Sequence, residues 1–522
     1  MNTKHLKAKI LDLAIRGKLV PQDPSEGNAA DLLNKIREEK NILIEQKKIK
    51  VDKNSSFIIK ADDERHFEQF ADGSLKDIED EIPFEIPANW CWCRLTDVCE
   101  YGKCKNAEPA DLDSNSWILD LEDIEKDTGK IKQFKTFEER NSLSTKHVFT
   151  EGTVLYSKLR PYLNKVVIAP KDGFCTSEIL PLDFQGLYIN KFAQRLLMSP
   201  YFLSTVNMLT YGVKMPRLGT NEAKQIFVPL PPLSEQQRIV SAIEKAFEQI
   251  DIIEKNKFNL KNYIKQTKNK VLDLAIHGKL VEQKPSEGNA FELLEKIRKE
   301  KSDLIKQKKL KEDKKSSFII KAEDGKHYEQ FADGSLKDIE DEIPFEIPEN
   351  WCWCRLREIG NWQSGCTPDK SRKDFYDKAD IPWLNSGDLT DSYIETIPHY
   401  VSQIAFDEKK MKLNEAGSVC IAMYGATIGK LGILTKSATT NQAVLVCNKL
   451  HLSDSKYLFY FLKSHKKEYI QAGFGGAQPN ISKEKVEPTL FPLPPLDEQK
   501  RIIDRIEQIF EQLDILEKAL GE

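Results

Sequence analysis

The chain has 522 residues, 40% of them hydrophobic and 31% charged, with a formal net charge of −4, so it is too long for one core and too apolar for a disordered chain. No run of about 18 apolar residues occurs, and the first twenty residues alternate charged and apolar positions, which argues against a membrane span or signal peptide and for a cytoplasmic protein. With a pI near 6.2 there is no bulk attraction for a polyanion, and any nucleic-acid contact must come from a local basic face.

Residues 1–55 are expected to be helical. Leu6, Ile10 and Leu13 share one face, LDLAIRGKLV (11–20) ends that helix at Gly17, and a second amphipathic helix follows over residues 30–50. The acidic stretch 56–81 is expected to be a solvated linker. From 82 to 230, short β-branched and aromatic runs such as VLYSKL and KVVIAP alternate with Gly, Pro and Asn, with a helical patch near 191–211, which predicts a mixed α/β domain. The Cys91-Trp92-Cys93 strand at its start places both thiols on one face, and core packing is favoured over zinc because no second CxxC or His pair lies near.

Residues 231–315 predict long helices. Ile239, Ile243, Ala246, Ile250 and Ile253 are spaced 4, 3, 4, 3, and Leu260, Ile264, Val271 and Leu274 keep the register, as in a coiled-coil seam. Ser234 and Asp497 are the expected helix caps, and a helix from Glu235 to about His277 would measure roughly 60 Å. Residues 316–342 repeat the acidic linker, 343–493 form a second α/β domain with a helical patch near 455–472, and 494–522 form a closing helix with a seam at Ile502, Ile506, Ile509, Leu513, Leu516 and Leu520.

These elements are one unit written twice. Leu11 to Leu95 aligns without a gap to Leu272 to Leu356, with roughly four-fifths of positions identical, and PLPPLSEQQRIV from Pro229 matches PLPPLDEQKRII from Pro492. The intervening domains keep only a faint correspondence: Trp117 with Trp383, Gly152 with Gly417, and Thr176-Ser177-Glu178 with Thr440-Asn441-Gln442. Leu6, Ile10 and Leu13 match Thr267, Val271 and Leu274, so the N-terminus supplies the stretch that the C-terminal helix lacks, the two chain ends together are expected to rebuild one helical copy, and the order helix, domain, helix, domain is expected to be circular. The expected fold class is α+β: two mixed α/β domains separated by long antiparallel coiled-coil helices in a circular pseudo-two-fold repeat.

Catalytic chemistry finds no footing. GATIGKLG (425–432) has three residues between its glycines where a phosphate loop needs four, and Leu431 stands where Ser or Thr is required. Neither an Asn-Pro-Pro-aromatic string nor a Gly-rich strand-to-helix turn is present, so methyl transfer is not expected here, and the LEDIEKD carboxylates look like a solvated loop. What remains is polar and basic side chains on Gly-rich loops: Ser157, Lys158, Arg160, Tyr162, Asn164, Lys165, Tyr211, Lys214 and Arg217 in the first domain, and Tyr424, Thr427, Lys430, Asn441, Gln442, Gln478 and Asn480 in the second. Lys and Arg can neutralise phosphates, while Asn, Gln and Arg can pair with base edges. A loop or buried hydrogen bond is the competing use of each, and Asn441 and Gln442 could simply fix a turn.

LDLAIRGKLVPQDPSEGNAADLLNKIREEK, IPFEIPANWCWCRL, GATIGKLG with TTNQAVLV, GGAQPNIS and the two PLPPLxEQxRI helices, in that order, resemble the specificity subunit of type I restriction-modification enzymes. The resemblance spans most of the chain. It implies two target-recognition domains (82–230 and 343–493), each reading half of a split DNA site. It further implies helices that set the gap between the halves and dock two methyltransferase subunits, with S-adenosylmethionine bound by those partners and not by this chain, and motor-nuclease subunits that complete the complex. The rival expectation is a coiled-coil adaptor whose two heads bind proteins, which the near-neutral charge would suit.

Overall fold

A computed structural model describes residues 2–46, 56–61, 63–141, 143–212, 214–308, 316–451, 453–473 and 480–521. The chain divides into two compact units, residues 1–257 and 258–522, and the division falls inside one continuous 44-residue helix, Leu233–Ile276.

In the first unit the N-terminal helix Thr3–Ile15 runs antiparallel to the early part of that central helix. Lys7 near its start pairs with Asp251 at 2.6 Å, while Gln22, just beyond its end, donates to Glu235 at 2.7 Å. The second unit repeats the arrangement with the late part of the central helix and the C-terminal helix Leu496–Gly521. Lys268, the counterpart of Lys7, pairs with Asp514 at 2.5 Å, and Gln283 donates to Glu498 at 2.7 Å. The antiparallel seam expected from the heptads is therefore present in both units. It is buried at Ile239, Ile243, Ile250, Ile264, Val271, Ile502 and Ile506. Ile253, Leu260 and Leu516 are exposed; in the first unit the N-terminal helix begins opposite Asp251 and Glu254, so it does not cover the stripe beyond.

The PLPPLxEQxRI string is a docking motif more than a cap. Both helices begin two residues earlier than expected, at Leu233 and Leu496, so Ser234 and Asp497 stand inside the first turn. The next two side chains are fully buried. Glu235 accepts from Trp90 Nε1 at 2.9 Å and from Asn89 and Gln22, and Gln236 holds Ile189 N and the Leu187 carbonyl. Arg238 then forks onto Glu26 and reaches the Pro21 carbonyl, as Arg501 does onto Glu287 and Glu282. Gly17 and Gly278 end the preceding helical segments at φ +65° and +67°, where a Cβ would lie 2.3 and 2.4 Å from the rings of Pro87 and Pro348; only glycine suits both constraints.

The stretches expected as acidic linkers fold. Ser56–Lys60, His66–Phe70 and Leu75–Asp77 form an antiparallel meander, repeated at Ser317–Lys321, His327–Phe331 and Leu336–Asp338. Each meander is fixed by a charge that its acidic composition hides. Glu68 is buried against Arg94 at 2.8 Å and Ser56 at 2.6 Å, and Glu329 against Arg355 at 2.7 Å and Ser317. Ile58 and Ile78 pack on Trp92 and Phe227. The meanders are not solvated linkers: SFIIK and HFEQF alternate over only five residues each, too short a signal to stand out from the surrounding net charge.

Cys91–Arg94 pairs antiparallel with Phe227–Leu230, and Cys352–Arg355 with Leu490–Leu493, so each α/β domain is closed by a two-stranded neck. The thiols of both Cys-x-Cys pairs are free and packed in the core, with burial raising Cys352 to about 12. Domain and helices share one apolar core: Leu11, Ala14, Ile239 and Ile243 belong to the same cluster as Val154, Tyr156, Phe192 and Phe202. The expected helical patches are Asn190–Leu197 with Pro200–Leu209, and Ser455–Ser464 with Lys466–Gly473.

The two domains share their central plan. In the first, Val154–Ser157 lies between Val166–Ile168 and Ile179–Leu182; in the second, Val419–Ala422 lies between Leu431–Leu434 and Val444–Leu450. A parallel pair accompanies each, Trp117–Leu119 with Gly173–Thr176 and Ile381–Leu384 with Thr439–Thr440. The second domain extends its central sheet to five strands through Gly360–Ser364 and Ser392–Ile394. Hydrogen-bond register also corrects one sequence match. Lys158 N bonds the Glu178 carbonyl as Met423 N bonds that of Ala443, so Glu178 corresponds to Ala443 and not to Gln442.

Candidate nucleic-acid interface

In the first domain the turn after Val154–Ser157 is sharp enough to need two left-handed residues, Arg160 at φ +49° and Asn164 at φ +51°. The same turn in the second domain has Gly425 at φ +80° and Gly429 at φ +74°. A second segment closes over each turn. Leu159 bridges Arg217, and Tyr424 bridges Asn480. In the first domain that segment is a tight hairpin: Tyr211 and Arg217 exchange backbone hydrogen bonds at 3.3 and 3.0 Å, and Arg160 N donates to the Pro216 carbonyl at 2.7 Å.

This geometry sorts the candidates. Lys158, Arg160, Tyr162, Tyr211, Lys214 and Arg217 are brought onto one turn-plus-hairpin platform, with Arg160, Tyr162, Tyr211 and Lys214 exposed. Three other candidates leave the surface. Ser157 is buried and donates to the Leu159 carbonyl, and Asn164 is buried with its amide on the Met198 carbonyl. Lys165 donates to the Leu121 carbonyl, with burial lowering its pKa. Each donates to a backbone carbonyl, within the turn for Ser157 and outside it for Asn164 and Lys165, while Asn164 Oδ1 has no hydrogen-bond partner among the described residues.

In the second domain Tyr424, Thr427 and Lys430 lie half-buried on the Gly425–Gly429 turn, where Lys430 N bonds the Thr427 carbonyl. That turn leads into the strand Leu431–Leu434, whereas a phosphate loop opens a helix. Asn441 fixes a turn: its amide donates to Asn385 at 3.0 Å and its carbonyl oxygen accepts Ala443 N at 3.1 Å. Gln442 and Asn480 are exposed, and Gln478 lies outside the described residues.

Sequence reasoning missed Glu178, which reaches the platform from the turn between Gly173–Thr176 and Ile179–Leu182 and holds Arg217 through contacts of 3.0 to 3.2 Å. The carboxylate raises the arginine's pKa. It also missed Thr367, whose hydroxyl accepts Gln442 N. Neither had a signal beyond being polar and next to a strand end. Among the described residues no group of three His, Cys, Asp or Glu is placed to hold a metal ion, and no helix is long and apolar enough to cross a membrane.

Two domains built on one plan, each rooted in its own antiparallel helix pair and each presenting polar side chains on a two-segment platform, define a two-headed recognition protein. The family profile described as Type I restriction modification DNA specificity domain matches residues 87–262 and 348–522, more than half of the chain, and the chain belongs to that family. Its role is that of a DNA-specificity subunit. It is 25% identical to the EcoEI specificity subunit of Escherichia coli over 99% of this chain and 90% of the relative. To the E. coli EcoAI specificity subunit it is 25% identical, over 97% and 89%. Among solved structures, the HsdS subunit from Thermoanaerobacter tengcongensis has the same fold with a TM-score of 0.53 at 19% identity, covering 85% of this chain and 94% of that one. A chain from a structural study of complex assembly and conformational transition in the type I R-M system reaches a TM-score of 0.57 at 19% identity, covering 84% and 94%.

Proposed function

We propose that this chain is the non-catalytic recognition subunit of a type I restriction-modification complex and reads a bipartite DNA site, one half through each platform. The observation that carries the reading is the recurrence of one scaffold with different side chains. The backbone turns have positive φ at the equivalent positions 160/164 and 425/429, while the exposed groups differ: Arg160, Tyr211 and Lys214 against Gln442 and Asn480. A constant frame with variable polar tips is what reading two different half-sequences requires.

The paired helices are the dock for two methyltransferase subunits, which bind S-adenosylmethionine and perform the chemistry, and motor-nuclease subunits join that core. The central helix sets the spacer between the half-sites, and the complex works in the cytoplasm. The test is coexpression with the partner methyltransferase followed by mapping of methyladenine across the genome. A split motif is expected. A protein-binding adaptor would give none, and its complex would show no salt-dependent shift of duplex DNA.

A further inference from the structure

The two platforms differ most sharply at one equivalent pair of positions. Arg217 and Asn480 occupy the same bridge, opposite Leu159 and Tyr424, and the strand register pairs Glu178 with Ala443. The first domain thus has an arginine braced by a carboxylate where the second has an asparagine beside an alanine. The brace is directional. Arg217 Nε lies 3.2 Å from both carboxylate oxygens and Nη2 lies 3.0 Å from Oε1, which occupies one edge of the guanidinium. On the other edge, Nη1 and the second hydrogen of Nη2 make no hydrogen bond among the described residues. The arginine side chain is 39% exposed and stands beside exposed Tyr211. An ion pair this open adds little to stability, so holding the fork in one orientation is its more consequential effect.

Resting on the DNA-reading role proposed above, we infer that Arg217, positioned by Glu178, reads a guanine in the first half-site, and that Asn480 reads an adenine at the corresponding place in the second. A fixed pair of arginine donors matches the O6 and N7 acceptors of guanine, and an asparagine amide matches the N7 acceptor and N6 donor of adenine in the major groove. Arg217 is the residue that touches the base. Glu178 acts through it, by removing the rotamers in which the fork would point elsewhere.

The test exchanges the pairs. The full chain, in complex with its methyltransferase subunit, is mixed with duplex DNA randomised across both halves, and the retained molecules are sequenced. Arg217→Asn with Glu178→Ala is expected to replace one required guanine by adenine in the first half, leaving its other positions, the spacer and the second half unchanged. Asn480→Arg with Ala443→Glu is expected to do the reverse in the second half. Glu178→Gln alone should keep guanine preferred while cutting its selection by about 10-fold, the size expected when one bidentate contact is loosened. An unchanged consensus in the first exchange overturns the inference, as does loss of the whole first half-sequence, which would mark the pair as a structural brace. If the first exchange does not fold, the second decides on the same criteria. A wild-type complex that selects no split sequence at all would instead sink the DNA-reading role itself, and this inference with it.

Discussion

Glu235 offers a quantitative trial of the frame because the repeat supplies its own control. Glu235→Ala removes a fully buried carboxylate that accepts Gln22 at 2.7 Å, Trp90 Nε1 at 2.9 Å and Asn89 at 3.2 Å. Gln22 and Asn89 are partly open to solvent and can turn to water, but Trp90 is 5% exposed, so its N–H is left unpaired. Losing charge-assisted bonds and stranding one donor amounts to about 3–5 kcal/mol. The counterpart Glu498 accepts only from Gln283 and Asn350, and Trp351 Nε1 makes no hydrogen bond among the described residues. Glu498→Ala should therefore cost about 1–2 kcal/mol less. Hydrogen–deuterium exchange read at the start of the central helix and at the start of the C-terminal helix reports each unit separately. At about 1.4 kcal/mol per tenfold, opening should accelerate by about 100- to 4000-fold in the first case and about tenfold less in the second. Equal or inverted effects would refute the hydrogen-bond account of the docking motif.

Gly17→Ala should lower stability by about 2–4 kcal/mol, combining a left-handed alanine with overlap on Pro87, whereas Gly73→Ala, in a tight hairpin turn at φ +84° with no atom within 4 Å of its Cβ, should show only the strain; thermal unfolding of the two variants distinguishes them. For Glu68, burial pushes its pKa up, but hydrogen bonds from Arg94 and Ser56 outweigh that and hold it below the usual carboxylate value. A depressed native pKa means that this stabilisation is complete above the unfolded value of about 4.3 and is lost as pH falls through the lower native one. Exchange protection of the first meander should accordingly fall in that acid window, and Glu68→Gln should abolish that component of the fall. Inserting one helical heptad after Phe258 lengthens the central helix by about 10 Å; methyladenine mapping should then return a longer spacer with both half-sequences intact, and an altered half-sequence with the old spacer would count against the ruler.

Much of the chain was legible because its signals are local or repeated. The heptad register, Gly17 and Gly278 as helix ends, and the two copies of the neck strand each follow from spacing or from comparison of the chain with itself. The meanders were not, since five-residue strands carry too little periodicity to outweigh an acidic composition, and the partner that buries Glu68 lies 26 positions away at Arg94. The candidate residues were only half resolved. Arg160, Tyr211 and Lys214 are exposed, but Ser157 and Asn164 have the same hydrogen-bonding capacity and are buried against the Leu159 and Met198 carbonyls. Nothing in a one-dimensional pattern separates a polar group that is satisfied by a carbonyl from one left facing solvent.

What the sequence by itself determined is therefore the doubled plan of helices and domains, because identity between copies and helical periodicity need no tertiary information. Only the tertiary structure decided which side of each loop faces outward, that Glu235 and Gln236 anchor the helices, and that Glu178 braces Arg217 where the equivalent position in the second domain is Ala443. Those outcomes depend on strand register, and a shift of one residue turns every side chain to the opposite face.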